Sequence, residues 1–531
     1  MTSRPGPSPY AAEPSTARTG APPPAGDRAV LAALRADLER SEFTREAVEE
    51  LVGGVASAAL HREQRLPALR AARTQDHPAA VLLRAFMLGD DVTRAELDGA
   101  LPRTGADGAE RLGLVRTAGA GPEDAAAAVV DLRPYAVTDG AGTARWWVAS
   151  DLGELATGAV LRADHVLGIG GASLTLAQVT ARTPRRRTLD LGTGCGVQAL
   201  HASRHSEQVV ATDISARALG FAAFNAGLAG VDVDLREGSM LGPVEGETFD
   251  LVVSNPPFVI TPAAAYDAGL PVMEYRDGGR GGDDLVHDLV SAVGQHLAPG
   301  GVAQLLGNWE HHGGQDWRER VAGWLPEDCD AWVVQREVQD PAEYAELWLR
   351  DGGMRPELDR AGYEAAYAAW LADFEARGVE GIGFGYVLVQ RPATARAPWR
   401  RVEEVAGPVR QPLGPHVADV LAVRERLAGT DDAALAALRV VRSPDVTEEH
   451  HLMPGDTDPQ VLQLRQGGGL GRVVRPGTLV AGAVGACDGE LSVGEIAGAL
   501  ATLLEVPAAD VAAELLPAVR ELLVDGFLRL G

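Results

Sequence analysis

The densest chemistry in this 531-residue chain lies in one run, Ser254-Asn255-Pro256-Pro257-Phe258. Two consecutive prolines have no amide hydrogens to give, so nearby carbonyls stay unpaired and the run before them ends abruptly. The side-chain oxygen of Asn255 and the carbonyl of Pro256 then offer two acceptors on one side. A planar NH2 group carries two donors and suits such a pair. Phe258 adds a flat face for stacking. The plainer alternative is a turn that ends a strand.

Upstream stands Asp190-Leu191-Gly192-Thr193-Gly194-Cys195-Gly196. Glycines here let the backbone turn tightly and pass close to a ligand. The dinucleotide pattern would need glycine where Val197 stands, and the chain has no lysine for a phosphate loop. A nucleoside without phosphates is the better fit. Asp213 follows about 20 residues later, at the end of an apolar run, where two carboxylate oxygens can take a ribose diol. It can equally cap a helix, since Ser215 and a helical stretch follow.

These residues need a frame to converge. Apolar runs at 187–191, 209–213, 231–236, 249–254, 302–306, 331–338 and 383–390 read as seven strands separated by helical stretches. That alternation predicts an α/β fold with a doubly wound, mostly parallel seven-stranded sheet, whose ligands lie at the carboxyl ends of the strands. Residues 150–392 hold it. Before it, 29–149 reads as a helical region with a capping box at Thr93–Glu96. After a proline-marked linker at 393–415, the region 416–531 carries a second box at Ser492–Glu495. Both flanks pair short helices with glycine-marked strands, a winged-helix-like layout. Residues 1–28, rich in Pro, Ala, Ser and Gly, read as a disordered tail.

Composition narrows the function. Acidic residues outnumber basic ones 74 to 48, a formal net charge of −26, and every basic residue is arginine. Coating nucleic acid by phosphate neutralisation needs the opposite balance. Three scattered cysteines, Cys195, Cys329 and Cys487, imply no disulfide framework. No apolar stretch is long enough to span a membrane and no signal peptide is read, so a cytoplasmic location is expected. The paired histidines His311-His312 and His450-His451 lack zinc spacing and read as surface residues, so no metal is expected.

The glycine run, Asp213 and the Asn-Pro-Pro-Phe run together resemble the class I S-adenosylmethionine-dependent methyltransferases, in the branch with an N-P-P-[YF] motif. The resemblance covers under half of the chain and implies a Rossmann-like fold with S-adenosyl-L-methionine as cofactor. It implies that Gly192, Gly194 and Gly196 lie along the methionine part and that Asp190 orients its amino end. Asp213 would take the ribose hydroxyls, with Ile214 beside the adenine. Ser239 and Met240 would sit near the adenine amine, where relatives often carry an acidic residue in place of Ser239. Asn255, with Pro256 and Phe258, would position the substrate, and Asn255 would also touch the cofactor. Members of this branch methylate exocyclic nitrogens. The implied partner is a protein glutamine amide, as in release-factor enzymes, with structured RNA (a ribosomal or transfer RNA base) as the alternative. A non-catalytic protein that keeps the fold as a scaffold is the rival of another class.

Overall fold

The computed structural model describes residues 20–531 apart from Asp456 and Asp458. Its centre is an eight-stranded sheet. In chain order the strands are β1 Arg185–Leu191, β2 Ser206–Asp213, β3 Asp234–Glu237, β4 Phe249–Ser254, β5 Leu297–His312, β6 Asp330–Gln339, β7 Val379–Gln390 and β8 Arg400–Glu404. Across the sheet they run β3-β2-β1-β4-β5-β7-β6-β8. β7 lies antiparallel to β5 and β6, and every other neighbouring pair is parallel.

Alternation along the strands explains the two-sided core. In β4, Leu251 and Val253 point to one apolar cluster, while Val252 between them points to another. Helix α1 (Gly171–Val179) covers the first face. Helices α2 (Val197–Ala202) and α3 (Ala216–Ala229) follow β1 and β2. Helix α4 (Asp284–Val293) packs its Val286, Leu289, Val290 and Val293 on the second face. Between β6 and β7 the chain inserts α5 (Pro341–Asp351) and α6 (Arg360–Arg377), which build a separate cluster around Tyr344, Trp370 and Phe374.

Two expectations are corrected here. The sheet has eight strands, not seven, because residues 400–404 of the expected linker pair parallel with β6. The sequence Arg400-Arg401-Val402-Glu403-Glu404 has no apolar pattern, since an edge strand needs little burial. The expected tail does not extend over residues 20–28. Residues 1–19 lie outside the described residues, but the chain from Gly20 onward is held: Ala21 is buried, and the Ala25 amide donates to the Leu112 carbonyl at 2.8 Å. Asp27 caps the first helix, Arg28–Arg40.

Both capping boxes form. Thr93 and Glu96 bond reciprocally at helix Arg94–Ala100, and Ser492 and Glu495 do so at Val493–Leu504. Each flank carries a three-stranded antiparallel sheet. One joins Val92–Thr93, Ala125–Ala128 and Val115–Thr117, and the other Asp488–Ser492, Arg439–Arg442 and Leu528–Leu530. Between the N-terminal flank and β1 a hairpin, Asp131–Asp139 with Gly142–Ser150, packs on α3.

Candidate active site

Strand order reverses between β1 and β4, which leaves a crevice at their carboxyl ends. The chain after β1 makes its turn through left-handed glycines, Gly192 at φ 72° and Gly194 at φ 55°. The Gly192 and Thr193 amides both donate to the Thr212 carbonyl at 2.9 Å, which ties this turn to the end of β2. A Cβ at Gly192 or Gly194 would meet no atom within 4 Å. The two residues therefore border open space. That space is an open cavity of about 690 Å³.

Most of the expected site residues converge on its wall. Gly192, Gly194, Asp213, Ile214, Ser239, Met240, Asn255, Pro256 and Phe258 all line it. Asp190 and Gly196 do not. Asp190 is fully buried behind the turn, and its Oδ2 accepts from the Thr193 hydroxyl at 2.6 Å. Gly196 lies against α3, where a Cβ would stand 3.1 Å from the Ala222 Cα. It is a close-packing glycine.

Asp213 takes the Gly194 amide on Oδ2 and the Ser215 amide on Oδ1, both at 2.9 Å. Each carboxylate oxygen keeps a second lone pair for a ligand hydroxyl. Burial raises its pKa against these backbone hydrogen bonds. Ile214 beside it is 64% exposed, an apolar side chain on the cavity wall. Ser239 is exposed, and Met240 holds a left-handed backbone at φ 48°.

At the end of β4, Ser254 donates to the Leu191 carbonyl at 2.8 Å, which locks β4 beside β1. The Oδ1 of Asn255 is buried and has no hydrogen-bond partner. An unmet buried acceptor costs about 1–3 kcal/mol. A hydrogen bond from an incoming N–H would remove that cost. Phe258 is half-buried, edge-on to Phe384 with ring centres 6.4 Å apart.

The 168–173 glycine stretch lines the cavity as well. The sequence reading missed Asp151, His165, Gln198 and the 274–278 loop, which line it too. Nothing local marked these residues, because they come from separate segments that meet only in space. It also missed Asn225 on α3. Its Nδ2 donates to the carbonyls of Ala149 and Cys195, and its Oδ1 accepts from the Ala149 amide. One side chain thus ties the hairpin to the glycine turn. The histidines of the sequence reading stand apart from the cavity: His311 stacks on Trp317, and His450 pairs with Glu448. Among the described residues no group of His, Cys, Asp and Glu is placed to hold a metal ion. No helix among them is long and apolar enough to cross a membrane.

Comparison with known proteins bears on this geometry. Residues 167–315 match the methyltransferase small domain family, and residues 40–128 match a domain of unknown function, DUF7059. The release factor glutamine methyltransferase of Deinococcus radiodurans is 38% identical over 133 residues, which cover 23% of this chain and 46% of that protein. Its namesake in Xylella fastidiosa is 42% identical over 132 residues, covering 24% of this chain and 48% of the relative. The ribosomal protein uL3 glutamine methyltransferase of Bradyrhizobium diazoefficiens is 37% identical over 149 residues, covering 26% and 44%. The chain thus spans about half the length of these relatives.

Proposed function

We propose that this chain, whose 167–315 segment is a class I S-adenosylmethionine-dependent methyltransferase domain of the Asn-Pro-Pro-aromatic branch, methylates the side-chain amide nitrogen of a protein glutamine. The observation that carries the reading is the buried, unmet Asn255 acceptor beside Pro256 on the cavity wall. A primary amide offers the two N–H donors that this pair of acceptors needs.

The cofactor supplies a methyl group already activated on a sulfonium. The residues present fit it: open space at Gly192 and Gly194, a carboxylate with spare lone pairs at Asp213 and an apolar side chain at Ile214. What remains for the protein is alignment. Asn255 and Pro256 would hold the amide hydrogens, turn the nitrogen toward the methyl group and stabilise the positive charge that grows on it; the N–CH3 bond would form as the S–CH3 bond breaks, with S-adenosylhomocysteine leaving and one N–H proton passing to water in the open cavity. Phe258 stacks on the amide plane.

Charge favours a polypeptide over RNA. Seven carboxylate residues and three arginines line the cavity. Within the arginine-dense stretches 185–187 and 396–401, Arg187 pairs with Glu247, Arg396 with Asp330 and Glu425, and Arg401 with Asp525. Arg185 to Arg187 also sit at the start of β1, the end away from the cavity. The relatives' names point the same way, to a release factor or a ribosomal protein as the methyl acceptor.

The test is to incubate the protein and radiolabelled cofactor with lysate from a strain lacking the gene, then treat portions with protease or RNase. Label lost to protease and kept after RNase is expected, with mass spectrometry placing it on a glutamine. Label lost to RNase would move the assignment to a base amino group. Asn255→Ala should lower transfer by about 10²–10³-fold. Calorimetry should still find S-adenosylhomocysteine bound by that variant, whereas Asp213→Ala should bind it poorly. If wild type binds none, the cofactor site is wrong.

A further inference from the structure

We infer that Tyr344, on the inserted helix α5, is a positioning residue for the Asn255-Pro256-Pro257-Phe258 run. The inference rests on the methyltransferase reading of that run. Beyond Phe258 the chain is pinned by two successive amides. Val259 N–H donates to the Arg276 carbonyl at 2.9 Å, and Ile260 N–H donates to the Tyr344 hydroxyl oxygen at 2.8 Å. The first partner is a loop. The second is a side chain from an element inserted between β6 and β7, far along the sequence.

Tyr344 is fully buried, and its ring stands among Trp370, Phe374 and Phe384. A phenylalanine would fill that space equally well, and a buried hydroxyl costs free energy unless it is hydrogen-bonded. The hydroxyl therefore serves its bonds. Besides Ile260, it meets Asn308 on β5, whose Nδ2 lies 3.0 Å away. The Asn308 Oδ1 has no partner. Turning that amide would bring its oxygen onto the Tyr344 proton, so in either sense β5 fixes the hydroxyl.

A second route reaches the same run. Phe384, opposite Asn308 in the β5–β7 pair, stacks on Tyr344 at 5.8 Å and takes the edge of Phe258 at 6.4 Å. Tyr344 thus holds Phe258 through a ring and Ile260 through a hydrogen bond. Without the hydroxyl, Ile260 keeps a buried amide with no acceptor, and relief comes from a shift of residues 258–260. Misplacement by about 1 Å can cost 10²-fold in rate.

The experiment compares Tyr344→Phe with Tyr363→Phe, which removes a hydroxyl from α6 in the same helical cluster. The acceptor is a purified bacterial peptide-chain release factor. Tyr344→Phe should lower kcat about ten-fold or more, with KM for the cofactor unchanged, while Tyr363→Phe keeps the wild-type rate. Hydrogen–deuterium exchange, which needs no acceptor, should speed up over residues 256–262 in Tyr344→Phe and stay unchanged over 190–198. A wild-type protein that leaves the release factor unmethylated would count against that substrate alone, and the exchange measurement would still decide on Tyr344. Unchanged exchange at 256–262 would overturn the inference, as would a loss of kcat matched by Tyr363→Phe.

Discussion

Asp190, next to last in β1, has its carboxyl fully buried, and burial pushes its pKa up to about 7 against the pull of the Thr193 hydroxyl. In the unfolded chain the same group titrates near 3.8. Between these values the folded protein holds a proton that the unfolded chain has lost. The contribution to stability is therefore complete below the lower value and disappears as pH rises through about 7. Asp190→Asn mimics the protonated side chain and has no proton to lose. Thermal melts from pH 5 to pH 8 should show Tm falling in the wild type and falling less in the variant. Parallel falls would place the pH dependence elsewhere. Cys195 behaves in the same direction: burial pushes its thiol up to about 12, so it stays neutral in the glycine turn.

At the scale of elements, β8 shows how a stretch without apolar pattern becomes part of a sheet. Asp330, at the start of β6, is almost fully buried. It accepts from both terminal nitrogens of Arg396 and from the Trp399 amide, each at 2.7 Å. These bonds deliver residues 400–404 to the edge in register with Ala331 to Gln335. Removing the guanidinium leaves a buried carboxylate uncompensated, a loss of about 3–5 kcal/mol. Arg396→Ala should therefore shift urea unfolding by an amount in that range. A shift below about 1 kcal/mol, the value of an exposed pair, would mean that this segment is a passive connection.

For the whole molecule, the C-terminal region is part of the core. Leu251, Val302 and Trp332 of the sheet share one buried cluster with Val417, Leu515 and Phe527. Two ion pairs, Arg401 with Asp525 at 2.6 Å and Arg472 with Glu403 at 2.5 Å, bridge the same junction. A chain cut after Pro392 keeps every residue of the candidate site but bares that sheet face and loses β8. It should aggregate or melt without cooperativity, and should bind a hydrophobic dye that full-length protein ignores. A cooperative melt with S-adenosylhomocysteine binding intact would show that the catalytic part stands alone.

The strand and cap patterns were legible because each is a local rule. A strand buried on both faces must be apolar along its length, and a capping box needs only two side chains three residues apart. The glycine turn, Asp213 and Asn255 were legible for a related reason: each ends a strand of one parallel sheet, and such ends lie together whatever the loops do. Asp190 and Gly196 sit beside that wall without lining it, because the turn spends one on the Thr193 hydroxyl and the other on contact with Ala222. Spacing alone does not separate a glycine that faces a ligand from one that faces a helix. Tertiary structure alone decided the rest. Tyr344 reaches Ile260 across 84 residues, Asn225 reaches Ala149 across 76, and Arg396 reaches Asp330 across 66. A side chain's partner over such a distance follows from how the elements pack, and no periodicity within either segment encodes it.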